Sequence, residues 1–132
     1  MASTRQKHLV LILAREFASN LATPTLLTDE RGLLVFYNEA AEEILERPFS
    51  EARELPLDEW LGPFSPRTLE SEPLSLERLP TGIALYERRP AHERFTITSV
   101  DSVERTIAVT AFPLFAHTDE LIGTMTIWWR EE

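Results

Sequence analysis

The chain has 132 residues, 43% of them hydrophobic with three Trp and seven Phe, so it is sized for one domain and carries enough core-forming side chains to exclude disorder. It contains no cysteine, which excludes disulfides, thiolate metal sites, a thiol nucleophile and a thioether-linked chromophore. The net charge of −9 lies almost wholly within residues 29–78, where 13 acidic side chains stand against five arginines, and the single lysine of the chain excludes the cation cluster that nucleic acid needs.

The start, MASTRQKHLVLILAREF, sets basic residues before an apolar run, but Leu9–Ala14 meets Arg15 and Glu16 at once. That run is shorter than the ~7–15 residues of a secretion signal core and far shorter than the ~18 of a membrane span, which predicts a cytoplasmic protein with no membrane partner. Over residues 5–21, Leu9, Ile12, Leu13, Phe17 and Leu21 recur at helical spacing, and Val10, Leu11, Ala14 and Ala18 widen the stripe. A helix with so wide an apolar side covers a sheet, pairs with its copy in another subunit, or does both.

TLLTD (25–29) and LLVFYN (33–38) read as two strands joined through DERG, with Gly32 supplying the positive φ that closes the turn. Asn38 then suits the cap of a helix over Glu39–Arg47, whose early glutamates Glu39, Glu42 and Glu43 complement the positive end of the dipole. Ala40, Ala41, Ile44 and Leu45 make its buried side. Prolines at 48, 56, 63, 66, 73 and 80 limit helices between them to single turns, one of which, PLDEWLGPF, points Trp60 inward. SLERLPTGIALYERRP predicts a longer helix over residues 76–89 with Leu79, Ile83 and Tyr86 or Leu85 inside.

The last third alternates with period two. Phe95 and Ile97 share one face of HERFTITSV, Ile107, Val109 and Ala111 one face of ERTIAVTAFPLF, and Met125, Ile127 and Trp129 one face of ELIGTMTIWW. Thr96, Thr98, Thr106, Thr110, Thr124 and Thr126 take the other. Turns at VDSV and AHTDE make an antiparallel meander.

Two strands, a cluster of short helices and three long strands is an order that resembles the PAS domain. DERGLLVFYNEAAEEIL is similar to the family's turn glycine, strand, asparagine and alanine-rich helix; LPTGIALYERRP to its long helix; RTIAVTAFPL with Gly123 in LIGTMTI to its final hairpin. The resemblance covers about residues 23–130. It implies an α+β fold, a five-stranded antiparallel sheet with short helices on one face and the N-terminal helix on the other. It also implies a boundary between a cap or dimerisation helix at residues 1–22 and a PAS-like domain at 23–132, in a bacterial-type module that either stands alone or belongs to a larger sensor.

The family's cofactors can be tested on these residues. A covalent flavin needs a cysteine near NEAAEEILERPF, and none is there. A haem ligand would have to be His92, which sits at a strand start beside Glu93 and Arg94 and reads as an exposed polar residue, as His8 and His117 do. Trp60, Phe36 and Trp129 could stack a free flavin, but the aliphatic wall leaves its polar edge unpaired, so neither haem nor flavin is expected.

The resemblance instead implies a sensory module without covalent chemistry. Phe36, Ile44, Leu45, Trp60, Leu79, Ile83, Phe95, Ile97, Ile107, Val109, Ala111, Met125 and Ile127 would line a cavity for a fatty-acid-like or aromatic metabolite, or simply fill the interior. Trp128 would face the other way, against Leu13 or Phe17, and Leu9, Ile12, Leu13 and Phe17 would drive homodimerisation or hold a signalling protein. No nucleophile with its base, paired carboxylates or metal set is visible, so no enzymatic activity is expected.

Overall fold

The computed structural model describes residues 4–45, 47–49, 55–98, 102–116 and 119–131. Glu46 at the end of the capped helix, Val100 and Asp101 of one turn, and His117 and Thr118 of the other lie outside the described residues. Five strands, β1 (Thr25–Asp29), β2 (Leu34–Tyr37), β3 (Ala91–Thr98), β4 (Glu104–Phe115) and β5 (Leu121–Arg130), form one antiparallel sheet in the order β2-β1-β5-β4-β3. The last strand in sequence is thus the middle one in space, so neither of its faces meets water along most of its length.

Helix α1 (Thr4–Ser19) lies across β5, β1 and β2 on one side. The other side carries α2 (Glu39–Leu45), α3 (Leu57–Leu61) with a 3-10 turn at Gly62–Phe64, and a 3-10 turn at Leu76–Arg78 leading into α4 (Pro80–Tyr86). The expected helix over residues 76–89 is therefore two pieces. Leu79 between them is extended (ψ 152°), because a residue before proline is pushed out of the helical region, while Pro80 restarts the helix at its first position, where its missing N–H costs nothing. Among the described residues, no helix is long and apolar enough to cross a membrane.

Gly32 closes the β1–β2 turn at φ 83°, with its N–H donating to the Asp29 carbonyl. Asn38, 2% exposed, follows β2 and holds three elements. Its Oδ1 accepts from the N–H groups of Ala41 (3.0 Å) and Thr25 (3.1 Å), capping α2 and fixing the start of β1. Its Nδ2 donates to the carbonyls of Ala18 and Thr23, each at 2.9 Å, which pins the end of α1 to the same point. A short amide with two acceptor and two donor positions is the side chain that can make all four bonds at once.

Two expectations about facing are overturned. In the β4–β5 ladder Val109 stands opposite Trp128 and Ala111 opposite Thr126, so Trp128, Thr126 and Thr124 face the helices, while Met125 and Ile127 face α1. Trp128 accordingly does not meet Leu13 or Phe17. Threonine is tolerated on the inner face because the hydroxyls pair, Thr28 with Thr124 and Thr81 with Thr126, each at 2.7 Å, leaving little unsatisfied polarity. In the β1–β2 ladder Leu27 pairs with Phe36 and Leu26 with Tyr37. Phe36 therefore belongs to the α1 side, and Tyr37 enters the core with its hydroxyl donating to the Arg47 carbonyl at 2.7 Å.

Candidate functional site

Between the sheet and the short helices lies a cavity of about 50 Å³. Its floor is built by Leu26 of β1, Thr126 and Trp128 of β5, Ile107 and Val109 of β4, and Phe95 and Ile97 of β3. Leu45 of α2, Leu57, Trp60 and Leu61 of α3, and Phe64 close one part of the roof; Leu79, Pro80 and Thr81 close the rest. The helices are held over it by aromatic contacts, Tyr37 with Trp60 at 5.8 Å and Trp60 with Phe64 at 5.2 Å between ring centroids.

Seven side chains named from the sequence, Leu45, Trp60, Leu79, Phe95, Ile97, Ile107 and Val109, come together here. Ile44 packs at the edge of the same core without reaching the cavity, and Ala111 is buried on the same face farther along β4. Ile83 is half-buried on a separate surface groove beside Leu74 and Glu87, because α4 presents Ala84 and Leu85 inward instead. Phe36, Met125 and Ile127 lie on the opposite face of the sheet and cannot line the cavity.

Leu57 and Phe64, at three and four residues from Trp60, could have been found from helical spacing alone. Thr81, Thr126 and Trp128 had no such signal, since each looked polar or outward by alternation.

No lining residue is charged. The polar side-chain groups of the lining residues are the paired hydroxyls of Thr81 and Thr126 and the buried indole N–H groups of Trp60 and Trp128, and the wall itself is almost wholly apolar. Neither indole finds an acceptor among the described residues. An unpaired buried donor costs about 1–3 kcal/mol, so each of these two indoles is a local expense of the packing. The volume decides what the space could hold. Ligand pockets run to about 300–1,000 Å³ and a water takes about 30 Å³, so the cavity has room for a few heavy atoms and would take an acyl chain or aromatic metabolite only by displacing its roof.

The second feature is α1. Among the described side chains of α1 only Ala14 and Ala18 are buried, beside Leu27 and Met125, and Arg15 lays its guanidinium 4.9 Å from the centre of the Phe36 ring. Leu9 (52%), Ile12 (60%), Leu13 (59%) and Phe17 (57%) project away from the domain. Small residues let the helix lie close to the strands; the large ones are left as a contiguous apolar stripe, which in a folded protein marks a contact surface.

His92 is exposed on the face opposite the cavity, its Nδ1 2.7 Å from the Thr110 hydroxyl and its ring 6.0 Å from that of Trp129. Among the described residues no three His, Cys, Asp or Glu gather where they could hold a metal ion.

The sequence matches no family model, and no curated protein matches it. Solved structures do match in fold. The PAS domain of BvgS from Bordetella pertussis superposes with a TM-score of 0.64 at 16% identity, over 92% of this chain and 84% of that one. The PAS domain of nitrogen regulation protein NR(II) from Vibrio parahaemolyticus gives 0.61 at 17%, over 90% and 98%. The LOV protein of Rhodobacter sphaeroides gives 0.72 at 12%, over 98% of this chain and 69% of that one. The chain therefore has the α+β PAS fold.

Proposed function

We propose that this chain is a non-enzymatic, cytoplasmic signalling module whose output is association through α1. The observation that carries the reading is the stripe Leu9, Ile12, Leu13 and Phe17, more than half exposed on a helix that already has its own contact with the sheet. Residues 1–22 act as the dimerisation segment and 23–132 as the sensing body. At about half exposure each such side chain is worth roughly 1 kcal/mol when covered, so two copies would gain about 8–10 kcal/mol. Subtracting an association cost of at least about 4 kcal/mol leaves at most about 4–6, a dissociation constant no tighter than millimolar to tens of micromolar from this face alone.

Asn38 supplies the route between body and output. Leu45 of α2 lines the cavity, the first turn of α2 hangs on Asn38 Oδ1, and the same side chain grips the end of α1 through Ala18. A displacement of the roof would therefore be felt at α1 through one residue, biasing a two-state equilibrium of the helix. Sedimentation velocity across a concentration series tests this: the wild type self-associates, and Leu13→Glu with Phe17→Glu sediments as a monomer. A wild type that stays monomeric at millimolar concentration, or a double variant that still pairs, removes the reading.

The input has its own observation. The uncharged, almost wholly apolar cavity between sheet and roof favours a small apolar guest over a filled core. A thermal-stability screen that shows no shift with any small apolar compound would leave association as the module's whole function.

A further inference from the structure

We infer that the open end of β3 is a docking edge for an extended segment of a partner protein, one that carries lysine or arginine at alternate positions. This surface is distinct from both α1 and the cavity.

β3 is the outermost strand on its side of the sheet, and among the described residues its outer edge is covered only at Thr96. Arg67 lies against Thr96 there, and the N–H of each donates to the carbonyl of the other at 2.9 Å. The chain then turns away, the Thr68 N–H reaching the Glu72 carbonyl at 2.8 Å and Arg67 bridging back to Pro73. Because β3 pairs with β4 without a break, alternation turns the N–H and C=O groups of Arg94 and His92 the same way as those of Thr96. Among the described residues nothing pairs with these groups, and His92, Glu93 and Arg94 are exposed. An added strand would bond to them through its main chain, continuing the pairing that Arg67 begins.

The chemistry of the partner follows from the groove beside this edge, a space of about 470 Å³ between β3, α4 and the 67–73 turn. Glu70, Glu77, Glu87 and Glu93 line it against Arg78 and Arg94, and Arg94 is already paired with Glu131, Nε to carboxylate 3.2 Å. Leu69, Leu74 and Ile83 supply apolar wall, on which the stem of a long cationic side chain packs while its head reaches a carboxylate. Charge on an edge strand repels indiscriminate pairing, so its sign selects the partner. A second copy is the wrong occupant: the two-fold pairing that engages both His92 and Arg94 sets Glu93 directly opposite Glu93.

In an added strand the residue opposite Glu93 faces the groove, and its two neighbours face away. The probe is therefore the end-blocked peptide Lys-Val-Lys-Thr-Lys, titrated into the full chain and followed by proton–nitrogen correlation spectra. Its lysines face the groove, and its second and fourth residues bond to the edge. The amide protons of His92 and Arg94 are expected to move saturably to lower field. N-methylation of the second and fourth residues should weaken the peptide by about fivefold or more, while N-methylation of the third, whose N–H points away, should not. Glu-Val-Glu-Thr-Glu should not bind. Glu87→Gln with Glu93→Gln, both exposed, should weaken the lysine peptide by about threefold or more.

A lysine peptide that moves neither amide overturns the inference. So does one indifferent to N-methylation of its second and fourth residues, which is charge adhesion without strand pairing, or a glutamate peptide that binds as well, which is pairing without selection. Should both amides instead move with the concentration of the chain alone, the edge pairs with its own copy and the assignment of the partner falls.

Discussion

Replacing Asn38 by aspartate separates the two jobs of one buried side chain. Aspartate keeps an oxygen where Oδ1 accepts from Thr25 and Ala41, but it has no proton for the carbonyls of Ala18 and Thr23. Neither carbonyl is orphaned, since Ala18 also accepts the Leu21 N–H at 3.1 Å and Thr23 the Thr25 hydroxyl at 2.9 Å. The loss is then two net hydrogen bonds, about 1–3 kcal/mol, plus the repulsion of a carboxylate oxygen held against two carbonyls. The negative charge at the start of α2 returns about 0.3–1 kcal/mol through the helix dipole. A net cost of about 2–3 kcal/mol follows.

Asn38→Ala also strips the cap from α2 and leaves the buried Thr25 N–H unpaired, raising the cost to about 4–5 kcal/mol. Urea unfolding of both variants measures the sizes, and amide exchange locates them: in the aspartate variant protection should fall around residues 17–24 and persist in α2. An Asn38→Asp chain within about 0.5 kcal/mol of wild type, or one that loses α2 before α1, would refute the assignment of Asn38 as the clamp between those helices.

Leu13→Glu with Phe17→Glu is expected to shift self-association by at least about tenfold without lowering the unfolding midpoint, because both residues project from the domain, and sedimentation read beside urea unfolding checks both. Trp128→Ala should cost about 3–5 kcal/mol and Trp129→Ala less than about 1, a contrast that the opposite facing of β5 would reverse. Gly123→Ala is expected to lower the melting temperature by roughly 10 °C, since a Cβ there would stand 2.0 Å from the Thr28 carbonyl oxygen and force β1 and β5 apart. A melt unchanged within error would show that the two strands do not approach so closely.

What the sequence disclosed and what it hid differ by the number of faces a strand buries. β3 and β4 were legible because alternation there has one meaning: Phe95, Ile97, Ile107, Val109 and Ala111 are buried on the helix side. The cap at Asn38 and the turn at Gly32 were legible because local backbone chemistry dictates them. β5 was not, because it is central, with helices on one side and α1 on the other, so apolar residues fill both faces and the threonines, paired through their hydroxyls, occupy the deeper one.

The decisive feature is one residue of register. At the turn Phe115 stands opposite Leu121, and extending that pairing unbroken along both strands would set Val109 opposite Ile127, the facing that alternation suggests. A bulge between Leu114 and Phe115 moves the partner of Val109 to Trp128 and turns the whole of β5 over. The same step puts Thr126 and Trp128 on the cavity side and Met125 under α1, so an irregularity beside the Leu114–Gly123 pair determines which side chains of β5 line the space.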